Sequence, residues 1–166
     1  MTITMYALTV PVFVRYLDNL DAILATAETN ATERKIKPEV LGASRLAPDM
    51  FPLTFQVQSA TDRMKLLLAR LSGKAAPSWT DDEVTLADLR ARVAKAKAHI
   101  QTYTAADLEG SEQKTLTIKQ RGEDVQVAAL PHALENAIPQ IFFHLTVAYT
   151  ILRHNGVPVG KRDFTG

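Results

Sequence analysis

The chain has 166 residues with 19 basic and 18 acidic side chains, which is the length of one domain with a net charge of +1. Because these charges balance, we expect no nucleic-acid partner, which would favour a basic excess. The absence of cysteine excludes disulfides and thiolate metal sites. With no apolar run of the roughly 20 residues that span a membrane and no signal-peptide pattern, we expect one cytoplasmic domain over residues 1–166 and no membrane partner.

Four segments repeat apolar residues at steps of three and four, which predicts four amphipathic α-helices. The segments cover residues 10–24, 53–71, 86–103 and 138–152. Each helix has an apolar stripe that must be buried, and packing the stripes against one another achieves this. The predicted fold is therefore mainly α, a four-helix bundle.

Residues at the segment ends support these helices. Thr85, with Asp88 three residues on, is typical of a helix start. Gly73 and Gly156 follow the second and fourth segments, where a left-handed residue ends a helix. Pro11 is expected either to begin the first main helix or to kink it after a preceding turn near residue 4.

Residues 114–130 break the helical pattern. Leu116 and Ile118 alternate with polar residues, and Val125 and Val127 do the same beyond the turn-like segment 121–124. This alternation predicts a β-hairpin before the last helix. An isolated hairpin is marginally stable in water, so we expect it to lean on the bundle.

Two connections carry apolar residues of their own. The long segment 30–51 includes a short apolar piece, residues 40–46, which we expect to form one or two helical turns. The segment 72–84 contains Trp79, whose large apolar ring we expect to cover one end of the bundle.

Three stretches of the chain resemble a known group: residues 45–53 (RLAPDMFPL), 143–158 (FHLTVAYTILRHNGVP) and 160–164 (GKRDF). They resemble a bacterial family known only as a domain of unknown function, within the DinB/YfiT-like superfamily of four-helix bundles, many of which are metalloenzymes. The similarity extends over essentially the whole chain. It implies a four-helix bundle and, together with a second apolar edge on helix two, a homodimer.

Many members of that superfamily bind a divalent metal through one histidine on helix two and two on the last helix. Here helix two contains no histidine, and His144 on the last helix has Ala148 one turn on. His144 is the only candidate ligand, because His99, His132 and His154 lie elsewhere. We therefore expect no cofactor, with Zn or Ni bound through His144 as the alternative.

Five residues are candidates for a small-molecule pocket: His144, Asp62, Gln56, Tyr149 and Tyr16. Asp62 lies on the second apolar edge of helix two and would orient the imidazole of His144, with the Gln56 amide nearby. The alternatives are a half-buried histidine bonded to a neighbouring helix, a salt-bridged carboxylate, a dimer contact on helix two, and tyrosines at the edge of the core.

The basic residues Arg153, Lys161 and Arg162 follow or end the last predicted helix. They would form an anion-binding corner, or belong to a tail that closes a pocket or docks on a partner subunit. The alternative is helix capping with surface salt bridges.

The sequence leaves open whether the protein is an enzyme. The leading hypothesis is a homodimeric DinB-like protein with a degenerate metal site and a small-molecule pocket at one end of the bundle. The alternative hypothesis is a metal-dependent or thiol-dependent hydrolase or transferase that uses His144. A third is a purely structural interaction protein.

Overall fold

The computed structural model of the chain describes residues 3–166, so residues 1 and 2 of the predicted domain lie outside it. Within that range the elements, in chain order, are α1 (Met5–Glu33), α2 (Pro38–Ala43), α3 (Leu53–Ser72), α4 (Leu86–Ile100), β1 (Thr115–Gln120), β2 (Glu123–Ala128), α5 (Ala129–His132), α6 (Ile138–His154) and α7 (Lys161–Thr165). The prediction of a mainly α bundle with a hairpin before its last long helix is confirmed.

The four long helices α1, α3, α4 and α6 form the bundle. Helix α1 packs mainly on α4, and α3 packs on both α4 and α6. The core contains every residue that set the predicted stripes except Ile138, which is partly buried. Full burial of a Leu or Phe side chain stabilises the fold by about 1.5–3 kcal/mol, so these stripes are the main source of stability. None of the helices in residues 3–166 meets the length and hydropathy that crossing a membrane requires.

The helix ends follow the predicted chemistry. The hydroxyl of Thr85 accepts from the Asp88 amide at 3.2 Å, and the Asp88 carboxylate accepts from the Thr85 amide at 2.8 Å. Gly73 ends α3 with a φ of 81°. Helix α1 begins at Met5 behind the capping residue Thr4 and continues through Pro11, so this proline lies beyond the first turn instead of at the start.

The last long helix begins earlier than predicted. Helix α5 leads through a π-helical turn at Ala133–Ala137 directly into α6, and His132 and Ala137 both have helical dihedrals. Pro139 lacks an N–H and its ring would clash with the carbonyl of residue 135 in a regular helix. A wider π turn at this point relieves the conflict and keeps the helix continuous.

The hairpin pairs residue 115 with 128 and residue 120 with 123 in antiparallel register. Its turn has only two residues, Arg121 and Gly122, with φ of 52° and 88°, where the sequence predicted four. Positive φ at both positions gives the type I′ turn that suits a two-residue hairpin. Leu116 is buried, and Lys114 Nζ donates to the Leu71 carbonyl at 2.7 Å, so the hairpin leans on α3 as expected.

The connection between α3 and α4 is held down by a buried arginine. Arg92 on α4 donates from Nη1 to the Thr80 carbonyl at 2.9 Å and to Glu83 Oε1 at 3.0 Å. The ring of Trp79 lies under three cations, with Lys65 Nζ 4.2 Å, the Arg92 guanidinium carbon 5.2 Å and Lys95 Nζ 5.3 Å from its centroid. Trp79 thus packs against the bundle, and cation–π contacts help to fix the connection.

Candidate functional site

His144 and Gln56 form a buried polar pair between α6 and the first turn of α3. The imidazole Nδ1 lies 2.8 Å from the Gln56 side-chain oxygen, while Gln56 Nε2 donates to the Phe51 carbonyl at 3.0 Å. Because that second bond uses the amide nitrogen, the amide oxygen faces the ring and Nδ1 must donate the hydrogen. In neutral His144 the free lone pair is therefore on Nε2.

The surroundings of His144 keep it neutral. Burial, followed by the positive charge of Arg63 on α3, lowers the pKa of His144 to about 4. Only 8% of the residue is exposed. Near pH 7 the imidazole therefore carries no charge and serves as a hydrogen-bond donor to Gln56.

Three aromatic rings surround this pair on the solvent side. Phe55 and Phe143 lie edge-to-face with the His144 ring at 6.1 and 5.4 Å between centroids, and Phe51 stacks on Phe55 at 4.1 Å. Phe51 and Phe143 are 58% and 56% exposed. We call Phe51, Phe55 and Phe143 the aromatic face. A group of large apolar rings is unusual on a surface that faces solvent.

The residues around His144 do not fit the three-histidine metal site of the superfamily. Helix α3 offers the amide of Gln56, which is bonded to the imidazole, where that site has a histidine. Within residues 3–166 no group of three or more His, Cys, Asp or Glu side chains is placed so that it could hold a metal ion. His99 packs against Trp79 and Tyr103, whereas the aromatic neighbours of His144 are Phe55 and Phe143. That no metal binds stays a prediction.

Asp62 lies in a different cluster from the one predicted. Its Oδ1 is 2.6 Å from Lys65 Nζ and 3.0 Å from Arg92 Nη2, on the side of α3 that faces α4. Asp62 follows Gln56 by six positions, so the two side chains point about 120° apart around the helix axis. The prediction that this carboxylate orients His144 is therefore corrected, since the amide of Gln56 contacts the imidazole instead.

Tyr16 and Tyr149 lie against the C-terminal helix α7. The ring of Tyr16 packs edge-to-face on Phe142 at 4.6 Å and on Phe164 at 5.5 Å, and Tyr149 lies 5.7 Å from Phe164. These two predicted pocket residues thus form an aromatic cluster that holds the tail. The contacts of their rings are with the tail and α6, not with His144.

The tail docks on α1 of its own chain. Arg15 Nη2 donates to the Thr165 carbonyl at 2.8 Å, and Asn19 Nδ2 donates to the Phe164 carbonyl at 3.0 Å. Arg15 and Asn19 were not among the residues predicted from the sequence, although their spacing of four residues places them on one face of α1. The basic residues predicted for this role, Arg153, Lys161 and Arg162, are exposed and form no ion pair within residues 3–166.

A cavity that the sequence did not reveal opens between α3, the hairpin and the π turn. Its volume is about 340 Å³. We call it the cationic pocket, and its lining residues are Arg63, Leu66, Leu67, Arg70, Ile118, Lys119, Gln120, His132, Asn136, Ala137 and Gln140. Gln140 lies one helical turn before His144, so the pocket adjoins the His144–Gln56 pair.

Two buried nitrogens of the cationic pocket lack partners within residues 3–166. Arg63 Nε and His132 Nε2 are buried, and neither has a hydrogen-bond partner in the described part of the chain. Burial, then the charge of Arg63, lowers the pKa of Arg70, and burial, then the charge of Arg70, lowers the pKa of His132. No carboxylate lines the cavity. The two guanidinium groups therefore repel each other without compensation at this site.

Comparison with known proteins agrees with this architecture. The model of the family described as a domain of unknown function, DUF1993, matches residues 5–165. The crystal structure of a DinB family member protein from Shewanella denitrificans is 42% identical, with a TM-score of 0.91 over 98% of this chain and 92% of that one. A search of curated proteins gave no match. The chain therefore belongs to the DUF1993 family of DinB-like proteins.

Proposed function

We propose that this protein is a homodimeric, non-catalytic DinB-like protein that binds a small molecule, and that its metal site is degenerate. One observation carries the proposal: an open cavity of about 340 Å³ contains buried polar atoms without partners, beside a histidine whose neighbour on α3 is an amide. Concave sites with a few convergent polar groups are typical of ligand pockets. The cytoplasm stays its predicted location.

The state of His144 favours binding over catalysis. Its Nδ1 hydrogen is committed to Gln56, and the carboxylate predicted to assist it, Asp62, is engaged by Lys65 and Arg92. A general base needs a partner that stabilises its protonated form, whereas Gln56 offers a neutral amide. The alternative, a metal-dependent or thiol-dependent hydrolase or transferase using His144, therefore ranks second.

The aromatic face supports the dimer. Phe51 and Phe143 are more than half exposed, and Leu66 on the same side of α3 is 37% exposed. Large apolar side chains grouped on one surface mark interaction sites in soluble proteins. A dimer with two-fold symmetry that packs through this surface would bury all of these side chains in both subunits.

Ligand-observed NMR with a small-fragment library tests the binding function. We expect some fragments to bind the wild-type protein and to lose binding in Gln120→Trp, because Gln120 lies at the cavity lining and an indole there would fill the space. Gln126→Trp is the matched control, since Gln126 is exposed on β2 and does not line the cavity. The proposal fails if no fragment binds, or if both variants bind fragments as the wild-type protein does.

A further inference from the structure

We infer that the cationic pocket takes a small organic anion, with a carboxylate or phosphate head against Arg63 and Arg70 and a short apolar part against Leu66 and Ile118. This inference rests on the proposed binding function and names the class of its ligand. The two arginines of the pocket belong to α3, and its apolar wall is formed by residues of both α3 and β1.

The first support is the uncompensated charge. Arg63 and Arg70 form no ion pair within residues 3–166, whereas Arg90 and Arg92 on the neighbouring helix α4 both pair with carboxylates. Lys119, the other cation of the lining, pairs with Asp124 at 3.0 Å and sits at the exposed rim. Buried or half-buried guanidinium groups normally have an anionic partner, so a ligand would supply the missing charge.

The second support is two buried nitrogens without partners, one of them the Arg63 Nε donor. Arg63 Nε and His132 Nε2 are both excluded from solvent and both lack a partner in the described range, and they belong to opposite walls of one cavity. A buried polar atom without a hydrogen bond destabilises the fold, and a bound oxygen atom would give Arg63 Nε its missing acceptor. Within residues 3–166 the lining contains no carboxylate, and the lining amides of Gln120, Asn136 and Gln140 bond to neither nitrogen.

The third support is the placement of the two arginines. They are seven residues apart, so they lie on one face of α3 about 10 Å apart along its axis. Long side chains about two turns apart on one face can converge on one head group, and guanidinium suits planar carboxylate and phosphate oxygens. On the facing wall the π turn of residues 133–137 contributes Asn136, whose amide can donate to the same head.

The size and walls of the cavity narrow the ligand further. Its volume of about 340 Å³ is near the lower end of the roughly 300–1,000 Å³ of small-molecule sites. The side chains of Leu66, Leu67 and Ile118 give it an aliphatic wall that a bare inorganic ion would leave uncovered. The ligand chemistry is therefore one anionic head on a short aliphatic body.

Isothermal titration calorimetry of the full-length protein with three matched probes tests this. Hexanoate and monohexyl phosphate carry the two anionic heads, and hexanamide is the neutral counterpart of the first. We expect at least one anion to bind and hexanamide to bind at least tenfold more weakly. We expect Arg63→Gln and Arg70→Gln each to weaken binding of that anion about tenfold or more. Lys37→Gln removes an exposed charge just before α2, outside the cavity lining, and should leave binding unchanged.

The relative affinities of hexanoate and monohexyl phosphate identify whether the head is a carboxylate or a phosphate. Equal binding of hexanamide and hexanoate would overturn the inference, as would anion binding that survives both arginine substitutions. Absence of binding by both anions would also overturn it. The fragment screen tests the broader binding function separately. If neutral fragments bind the wild-type protein and lose binding in Gln120→Trp, that function is upheld even when the anion inference fails. Unchanged circular-dichroism spectra of the variants show that lost binding does not reflect lost fold.

Discussion

The contact between His144 and Gln56 explains the chemistry of this histidine. An amide oxygen accepts one hydrogen bond from Nδ1 without supplying a negative charge, so it holds the ring in one tautomer without favouring the imidazolium ion. Burial and the charge of Arg63 act in the same direction. The result is a histidine that serves as a neutral part of the helix contact, unlike a histidine activated by a carboxylate.

This environment makes the stability of the protein depend on pH. The pKa of His144 in the folded protein, about 4, is below the value near 6.5 of an unfolded chain. The contribution is therefore fully present above pH 6.5 and is lost as the pH falls toward 4, by up to about 3 kcal/mol. We expect urea unfolding of His144→Gln to show a smaller loss between pH 7 and pH 4.5 than the wild-type protein.

NMR titration of the imidazole signals provides the control for that prediction. We expect His144 to stay neutral with its hydrogen on Nδ1 down to about pH 5, and Arg63→Gln to raise its pKa by removing a nearby positive charge. Arg153→Gln should leave the titration of His144 unchanged. A wild-type His144 that protonates near pH 6.5 would contradict this description of the site.

At the scale of elements, the two arginines of α4 differ in their burial. Arg92 is 2% exposed as a residue and its guanidinium group pairs with Asp62, Asp81 and Glu83, which ties the 73–85 connection to α3 and α4. The Arg90 side chain is 38% exposed and pairs with Asp21 and Glu28 across to α1. The guanidinium group of Arg92 therefore lies in a low-dielectric environment, whereas that of Arg90 lies near solvent.

We predict that Arg92→Met lowers the free energy of unfolding by about 3 kcal/mol, because it leaves the buried carboxylate of Glu83 without its cation and Asp62 with Lys65 alone. Arg90→Met should cost below about 1 kcal/mol, since exposed ion pairs are weak. Urea denaturation of both variants measures the difference. Equal losses in the two variants would show that burial of the Arg92 cluster does not determine its contribution.

The elements also show how far the sequence predicts the structure. The stripes of Leu, Val, Phe and Met were predictable because a period of 3.6 residues shows directly which face is buried. The start of the last helix was not, because the apolar period that predicted it begins only at Ile138, whereas α5 and the π turn of residues 133–137 already lead into it. The cationic pocket could not be predicted, since its residues come from α3, β1 and the π turn, and their convergence depends on tertiary packing.

The candidate site was also only partly predictable from the sequence. His144 was expected to be partly buried, either bonded to a neighbouring helix or supported by Asp62 or Gln56; it is buried, and of Asp62 and Gln56 it is Gln56 that contacts it. Spacing along α3 shows that these two residues face different directions. It does not show which neighbouring helix lies on each side, because the connections 34–52 and 73–85 permit more than one arrangement of the bundle.

For the whole molecule, the aromatic face leads to a prediction about assembly. We expect light scattering at micromolar concentrations to give twice the 18.3 kDa of one chain. A double variant, Phe51→Ser with Phe143→Ser, should shift the protein toward the monomer, because it removes the exposed rings of that face. Ile3→Ser removes an exposed apolar side chain at Ile3, outside that face, and should leave the dimer intact. A wild-type species of 18.3 kDa would contradict the dimer.

The metal content of the protein tests most directly whether this DinB-like bundle is a binding protein or a metalloenzyme. Untagged protein and its His144→Ala variant are incubated with excess Zn²⁺ or Ni²⁺ and dialysed against metal-free buffer. Plasma mass spectrometry then gives the ratio of metal to chain. We predict a ratio far below one for both proteins, since one imidazole bonded to an amide cannot hold the ion. A ratio near one that disappears in His144→Ala would contradict the degenerate site.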